Sequence, residues 1–215
     1  MKLSPERYVS CGIDPGTDTL GYAIISMDPL KLDIRLDKVD TYHAAKSTRR
    51  LPDLGDLLGP RTVRLNWHRK NLIEQFNEDC PHSITVESPF LGRFATAFEA
   101  LIECRTAIRR AVNTHRDGLS MELIDPISVK KAMNALPPPV PKVKGKKKRR
   151  KPKVKITKDQ IKNALKKIKD VDWQGIDLDT LDEHSIDAIA VSLYRVYLIR
   201  DLLLRDKTNL KIFKG

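Results

Sequence analysis

The sequence predicts an α/β domain in which helices flank one mixed sheet. Three observations carry this: three strand-like segments joined by turns open the chain, strand and helix patterns alternate beyond residue 80, and helix patterns close it. The opening segments form an antiparallel meander, and strands separated by a helix pair in parallel.

Tyr8 to Asp14 is a short apolar run, and Gly21 to Ile25 follows it across Pro15-Gly16-Thr17-Asp18-Thr19, as two strands joined by a tight turn do. Leu32, Ile34 and Leu36 alternate with Asp33, Arg35 and Asp37, the period of a half-buried third strand running to Thr41. A Pro- and Gly-punctuated loop is expected through Pro60. Leu65, Leu72, Ile73 and Phe76 then recur at helical spacing up to a stop at Cys80-Pro81. Ser83 to Glu87 reads as a strand ending in an acid. The stripe Phe94, Ala97, Phe98, Leu101, Cys104, Ile108, Ala111 and Val112 marks a long amphipathic helix whose first apolar residues serve the core or a dimer interface. Met121 to Ile124 is a short strand, and Asp125-Pro126 opens a helix with an N-cap acid and a first-position proline. Thr157-Lys158-Asp159-Gln160 and Thr180-Leu181-Asp182-Glu183 have capping-box spacing, so each is expected to open a helix. The second helix runs through Ile186, Ile189, Ala190, Leu193, Val196 and Tyr197.

Charge divides the chain unevenly. Its 215 residues hold 40 Lys and Arg against 28 Asp and Glu, a net +12. The 14 positions from Lys142 to Lys155 carry 10 basic residues and no acid; without them the count is 30 against 28. Pro137 to Lys155 has almost no large apolar group and cannot offset its ordering entropy, so it is expected to be a flexible arm inside a single domain spanning residues 1–215. No apolar run reaches the roughly 18 residues of a membrane span, and no apolar segment near Met1 suggests a signal peptide. A soluble protein of a reducing compartment is expected. Cys11, Cys80 and Cys104 form no paired motif and read as small apolar packing residues. His43, His68, His82 and His115 are isolated and read as surface residues.

Three acids stand where the backbone could direct them into one site: Asp14 and Glu87 at strand ends, and Asp187 in the second turn of a helix. On that helix His184 lies about −60° and Glu183 about +40° from Asp187, on one face, whereas Asp182 lies about 140° away. Asp182 reads as a first-turn acid favoured by the helix dipole, and Glu183 as the capping-box acceptor. Converging carboxylates repel, and a divalent cation is the usual remedy. Oxygen donors with one His suit Mg²⁺ or Mn²⁺, and a pair of such ions about 3.5–4 Å apart hydrolyses a phosphodiester.

Cys11-Gly12-Ile13-Asp14-Pro15-Gly16-Thr17-Asp18-Thr19-Leu20-Gly21-Tyr22-Ala23 resembles the first motif of the RuvC family of Holliday-junction resolvases. Ile84-Thr85-Val86-Glu87-Ser88-Pro89-Phe90 is similar to its second motif, and His184-Ser185-Ile186-Asp187-Ala188-Ile189-Ala190 to its last. Pro126-Ile127-Ser128-Val129-Lys130-Lys131 and Thr157-Lys158-Asp159-Gln160-Ile161 look like its two basic helical segments, in the same order. The resemblance implies an RNase H-like mixed sheet, an antiparallel three-stranded meander plus parallel strands, flanked by helices. It implies a homodimer that makes paired symmetric nicks in branched DNA, the Holliday junction, with two Mg²⁺ or Mn²⁺ ions per site. Asp14, Glu87, His184 and Asp187 are then the catalytic and metal-binding residues. His184 stands where many members have a further Asp, although the RNase H-like domains of CRISPR effectors also show His-x-x-Asp there, and the residues leave two roles open to it: ligand or proton acceptor.

By the same resemblance Phe90 stacks on a base at the junction centre, although its place before a long helix also suits a hydrophobic staple. Arg93, Lys130, Lys131 and Lys158 are the expected DNA contacts of the body, and Lys146, Lys147, Lys148, Arg149 and Arg150 those of the arm. A nuclear-localisation role is the alternative for that run. The insertion from Pro137 to Lys155, absent from the bacterial pattern, points to a phage, viral or organellar branch. The compartment is then the cytoplasm for a prokaryotic chain, or an organelle or the nucleus otherwise. Competing readings are a catalytically silent junction-binding protein and a less selective fork or flap nuclease. An actin-like ATPase or sugar kinase shares Gly-Ile-Asp-Pro-Gly-Thr, but 215 residues with 10 Gly leave no room for its second lobe, so no nucleotide cofactor is expected.

Overall fold

The computed structural model describes residues 7–49, 52–89, 95–135 and 159–212. β1 (Tyr8–Asp14), β2 (Thr19–Met27) and β3 (Ile34–His43) form the antiparallel meander. β4 (Ser83–Glu87) lies parallel to β1 on its other side, with β5 (Met121–Ile124) parallel beyond it. β6 (Val171–Asp172) adds a parallel edge beside β3, completing the order β5-β4-β1-β2-β3-β6. Three helices precede β4: α1 (Ala44–Thr48), α2 (Pro52–Leu58) and α3 (Pro60–Asp79). α4 (Ala95–His115) joins β4 to β5, α5 (Pro126–Ala132) follows β5, α6 (Asp159–Leu165) precedes β6, and α7 (Glu183–Ile212) ends the fold.

The strand period sorts side chains onto two faces. Cys11, Ile13, Leu20, Tyr22, Ile24, Ile84 and Val86 point to one face and pack with Leu72 and Phe76 of α3 and Cys104, Ile108, Ala111 and Val112 of α4. Ala23, Ile25 and Met27 point to the other, against α7 and residues of α5 and α6. On that second face β1 presents Ser10, Gly12 and Asp14, small or polar groups, and α7 closes directly onto them. A Cβ on Gly12 would lie 2.3 Å from the Ala188 carbonyl oxygen, so only glycine permits this approach.

Several expectations need correction. The stretch read as a loop before Pro60 holds α1 and α2, and the two-residue β6 was not anticipated. Both are too short to show a period and are held by packing against longer elements. The last helix opens at Glu183, with the Asp182 carboxylate as its cap, accepting from Ser185 N at 2.8 Å. Thr180 instead donates to the Asp177 carbonyl. Cys11 and Cys104 are buried as expected, but Cys80 is exposed, because it ends α3 in a left-handed conformation. His68 is fully buried. Phe98 and Leu101 are half-buried and the covered stripe of α4 begins at Cys104. Phe94, Phe90, Arg93, Lys158, the run Lys146 to Arg150, and residues 137–155 as a whole lie outside the described residues.

Candidate active site

β1 and β4 are parallel neighbours, and their last paired residues are Ile13 and Val86. The next residue on each is an acid, Asp14 or Glu87. Ile13 and Val86 occupy the α3–α4 face, so the period of two turns both acids to the α7 face at the C-terminal edge of the sheet. Open α/β sheets place their ligands at that edge.

α7 delivers the other two residues. Asp14 pairs with Gly21 across the β1–β2 ladder, and a Cβ on Gly21 would lie 2.1 Å from the His184 carbonyl oxygen. The first turn of α7 therefore rests on the backbone beside Asp14. His184 Nδ1 lies 2.6 Å from Asp14 Oδ2, the length of a charge-assisted hydrogen bond. That bond is the main reason the imidazole is held protonated above its usual range.

Burial, with the charges of Asp14 and Asp187 added, pushes the Glu87 carboxyl up to about 8. Burial and Asp14 push Asp187 up to about 6. Lys130 of α5 opposes both shifts and lines the same cleft, about 710 Å³ in volume, with Asp14, Lys162, His184 and Asp187. Lys131, its neighbour, is exposed and does not line that cleft. Asp14, Glu87, His184, Asp187 and Lys130 thus share one region.

Among the described residues no three His, Cys, Asp or Glu side chains converge tightly enough to cage an ion as they stand, and Asp14 turns its carboxylate to His184. The donor set nonetheless fits a divalent cation of the Mg²⁺ or Mn²⁺ type. It is hard and oxygen-rich, with one imidazole. Burial, and the repulsion from Asp14 that adds to it, raise Glu87 and Asp187, and a bound cation's charge would offset both.

Sequence reasoning missed the groups that hold the site from outside. Thr41 of β3 donates to Asp182 Oδ1 at 2.8 Å and lies 2.7 Å from the Ser185 hydroxyl. Lys162 of α6 reaches the loop before α7. His68 of α3 lies beneath the turn after Asp14, with Nε2 3.2 Å from the Thr17 carbonyl, and Cys104 donates to the Gly16 carbonyl at 3.4 Å. Burial pushes His68 down to about 4, so it is neutral and donates through Nε2. A polar residue one helical turn from apolar Leu72, on its face, was the available signal.

A meander with parallel strands beyond β1, helices on both faces and acids at the C-terminal edge defines the RNase H-like fold. Solved structures with this architecture include Thermus thermophilus RuvC, 17% identical over 88% of this chain and 95% of that one, with a TM-score of 0.58. The same RuvC in complex with a Holliday junction substrate gives 17% identity, 88% and 94% coverage, and a TM-score of 0.57. The yeast mitochondrial Holliday junction resolvase Ydc2 is 11% identical over 95% of this chain and 83% of that one, with a TM-score of 0.55. No family model and no curated protein sequence matches the chain. Among the described residues no helix is long and apolar enough to cross a membrane.

Proposed function

We propose that this chain is a metal-dependent, structure-selective endonuclease that resolves four-way DNA junctions as a homodimer, by paired symmetric nicks. The observation that carries the reading is the gathering of Asp14, Glu87, His184 and Asp187 from β1, β4 and α7 at one edge of a RuvC-like fold. Asp14, Glu87 and Asp187, with His184, would hold two Mg²⁺ or Mn²⁺ ions, which supply charge for the phosphodiester oxygens and acidify the attacking water. Nδ1 of His184 is committed to Asp14, so Nε2 is the nitrogen left for a ligand or a proton. Lys130 sets a positive charge in the cleft it lines with Asp14 and Asp187, available to a phosphate. Arg93, Lys131, Lys158, Phe90 and the run Lys146 to Arg150 are proposed to extend the DNA surface around it. The domain acts as one unit in whichever compartment holds the branched DNA.

Asp14→Asn removes the charge while keeping the shape. It is expected to lower nicking of a synthetic four-way junction in Mn²⁺ by about 10³-fold or more, while junction binding in Ca²⁺ changes less than about threefold. Cleavage retained in that variant, with fork and duplex substrates as controls, rejects the assignment.

A further inference from the structure

α7 carries two of the four proposed ligands in its first two turns, and a site of this kind tolerates displacement of only about 0.5 Å. A helix start has unpartnered amides and frays unless held. Here the holding groups come from three directions. Gly21 lets the His184 backbone rest on β2, and Thr41 and the Asp182 cap tie the first turn to β3. The third direction is the loop before the helix. It closes on itself: Asp179 N donates to Asp177 Oδ1 at 2.9 Å, Thr180 Oγ1 donates to the Asp177 carbonyl at 2.8 Å, and Leu178 is buried. Its carbonyls at Leu181 and Asp179 accept from Lys162 Nζ at 2.8 and 3.3 Å. Lys166, in the turn just after α6, binds the Asp179 carboxylate.

We infer that Lys162 is a positioning residue, whose ammonium fixes the loop at 179–181 and so the placement of His184 and Asp187 against Asp14. The inference rests on the reading of those residues as the metal site. Lys162 lines the same cleft as Asp14 and Lys130, where a lysine would ordinarily be taken for a phosphate contact. Two of its three donors are instead directed to backbone carbonyls. A phosphate contact and a positioning role differ in what they move: the first governs DNA affinity and its salt dependence, the second the quality of the metal site.

The test uses the full chain with Lys162→Met and Lys162→Arg. Mn²⁺ alone is the probe, with free Mn²⁺ followed by electron paramagnetic resonance. Junction affinity in Ca²⁺ is measured across a salt series, and kcat and KM for nicking alongside. Lys162→Met is expected to weaken Mn²⁺ binding by about 10-fold and to lower kcat, with junction Kd and salt slope unchanged. Lys162→Arg, which can donate to both carbonyls, is expected to restore most of the loss. Unchanged Mn²⁺ binding with a weaker junction Kd and a salt slope shallower by about one overturns the inference in favour of a phosphate contact. Should the methionine variant not fold, Lys162→Gln, whose shorter amide removes the ammonium, takes its place, and wild-type Mn²⁺ binding there overturns the inference equally. A wild type that binds Mn²⁺ but nicks no branched DNA refutes the nuclease reading, while the Mn²⁺ comparison still decides the role of Lys162.

Discussion

Toward the N-terminal end of β1 and β4, buried and half-buried polar groups are matched one to another. The Tyr8 hydroxyl donates to Ser83 at 2.7 Å, Ser192 Oγ donates to the Ser10 carbonyl at 2.9 Å, and Arg195 binds Glu122 at 2.9 Å. At the C-terminal end of the same strands, about 13–20 Å away at strand rise, Asp14, Glu87 and Asp187 are gathered, and burial with their repulsion raises Glu87 and Asp187 despite the opposing charge of Lys130. α7 packs on β1 at both ends, so the contrast lies in the side chains alone. A fold that satisfies its polar groups at one end has the means to do so at the other. Under the proposed function, the acidic end is the place an outside cation would occupy.

The comparison breaks most severely at the point where α7 is let down onto the sheet. Gly21→Ala drives a Cβ into the His184 carbonyl, backbone against backbone. It is expected to cost about 3 kcal/mol in urea unfolding and to abolish nicking by moving His184 and Asp187. A variant of wild-type stability and activity would mean that α7 does not sit as described.

A second effect, read in stability alone, lies under the acidic end. Folded His68 takes up a proton only near pH 4, whereas the unfolded chain does so near its ordinary value of 6.5. Between those values the unfolded state holds more protons, so stability is fully present above about pH 6.5 and is lost as pH falls toward 4. The expected loss from this residue is of order 3 kcal/mol. His68→Gln retains a donor for Thr17 and should flatten that part of the stability–pH curve. Parallel curves for the two proteins would show that His68 is not held neutral.

The smallest test sharpens the contrast by making one substitution at both ends. Glu87→Gln in metal-free protein at pH 8 removes a carboxylate disfavoured by burial and, secondarily, by repulsion from Asp14 and Asp187, and should stabilise by about 1–2 kcal/mol while nicking is lost. Glu122→Gln breaks the partly exposed pair with Arg195 and should destabilise by about 0.5–1 kcal/mol with nicking intact. Thermal melts of both variants in EDTA decide it; shifts of the same sign would erase the distinction between the ends.

Much of this is legible along the chain because it depends on neighbours in sequence. The alternation around Ile34 and Leu36 and the Asp125-Pro126 helix start appear where their local chemistry places them. The acids ending β1 and β4 likewise stand out by position. What was misread depends on distant partners. His68 looks like a surface histidine until Thr17 is brought over it, and Thr180 looks like a cap until Asp182, anchored by Thr41, takes that role. β6 has two residues and exists only because β3 offers an edge.

The amino-acid sequence by itself determined the periods, and with them the face on which each strand residue falls, including the shared face of Asp14 and Glu87. It also determined the glycines that leave room for a helix. The tertiary structure decided how those faces meet: His184 against Asp14, the charge of Lys130 on two half-buried carboxylates, and Lys162 on the loop that carries α7 to the sheet. The physical reason is one of range. Periodicity and capping act over a few residues and are written locally, whereas burial and electrostatic shifts depend on groups that only the folded chain makes neighbours.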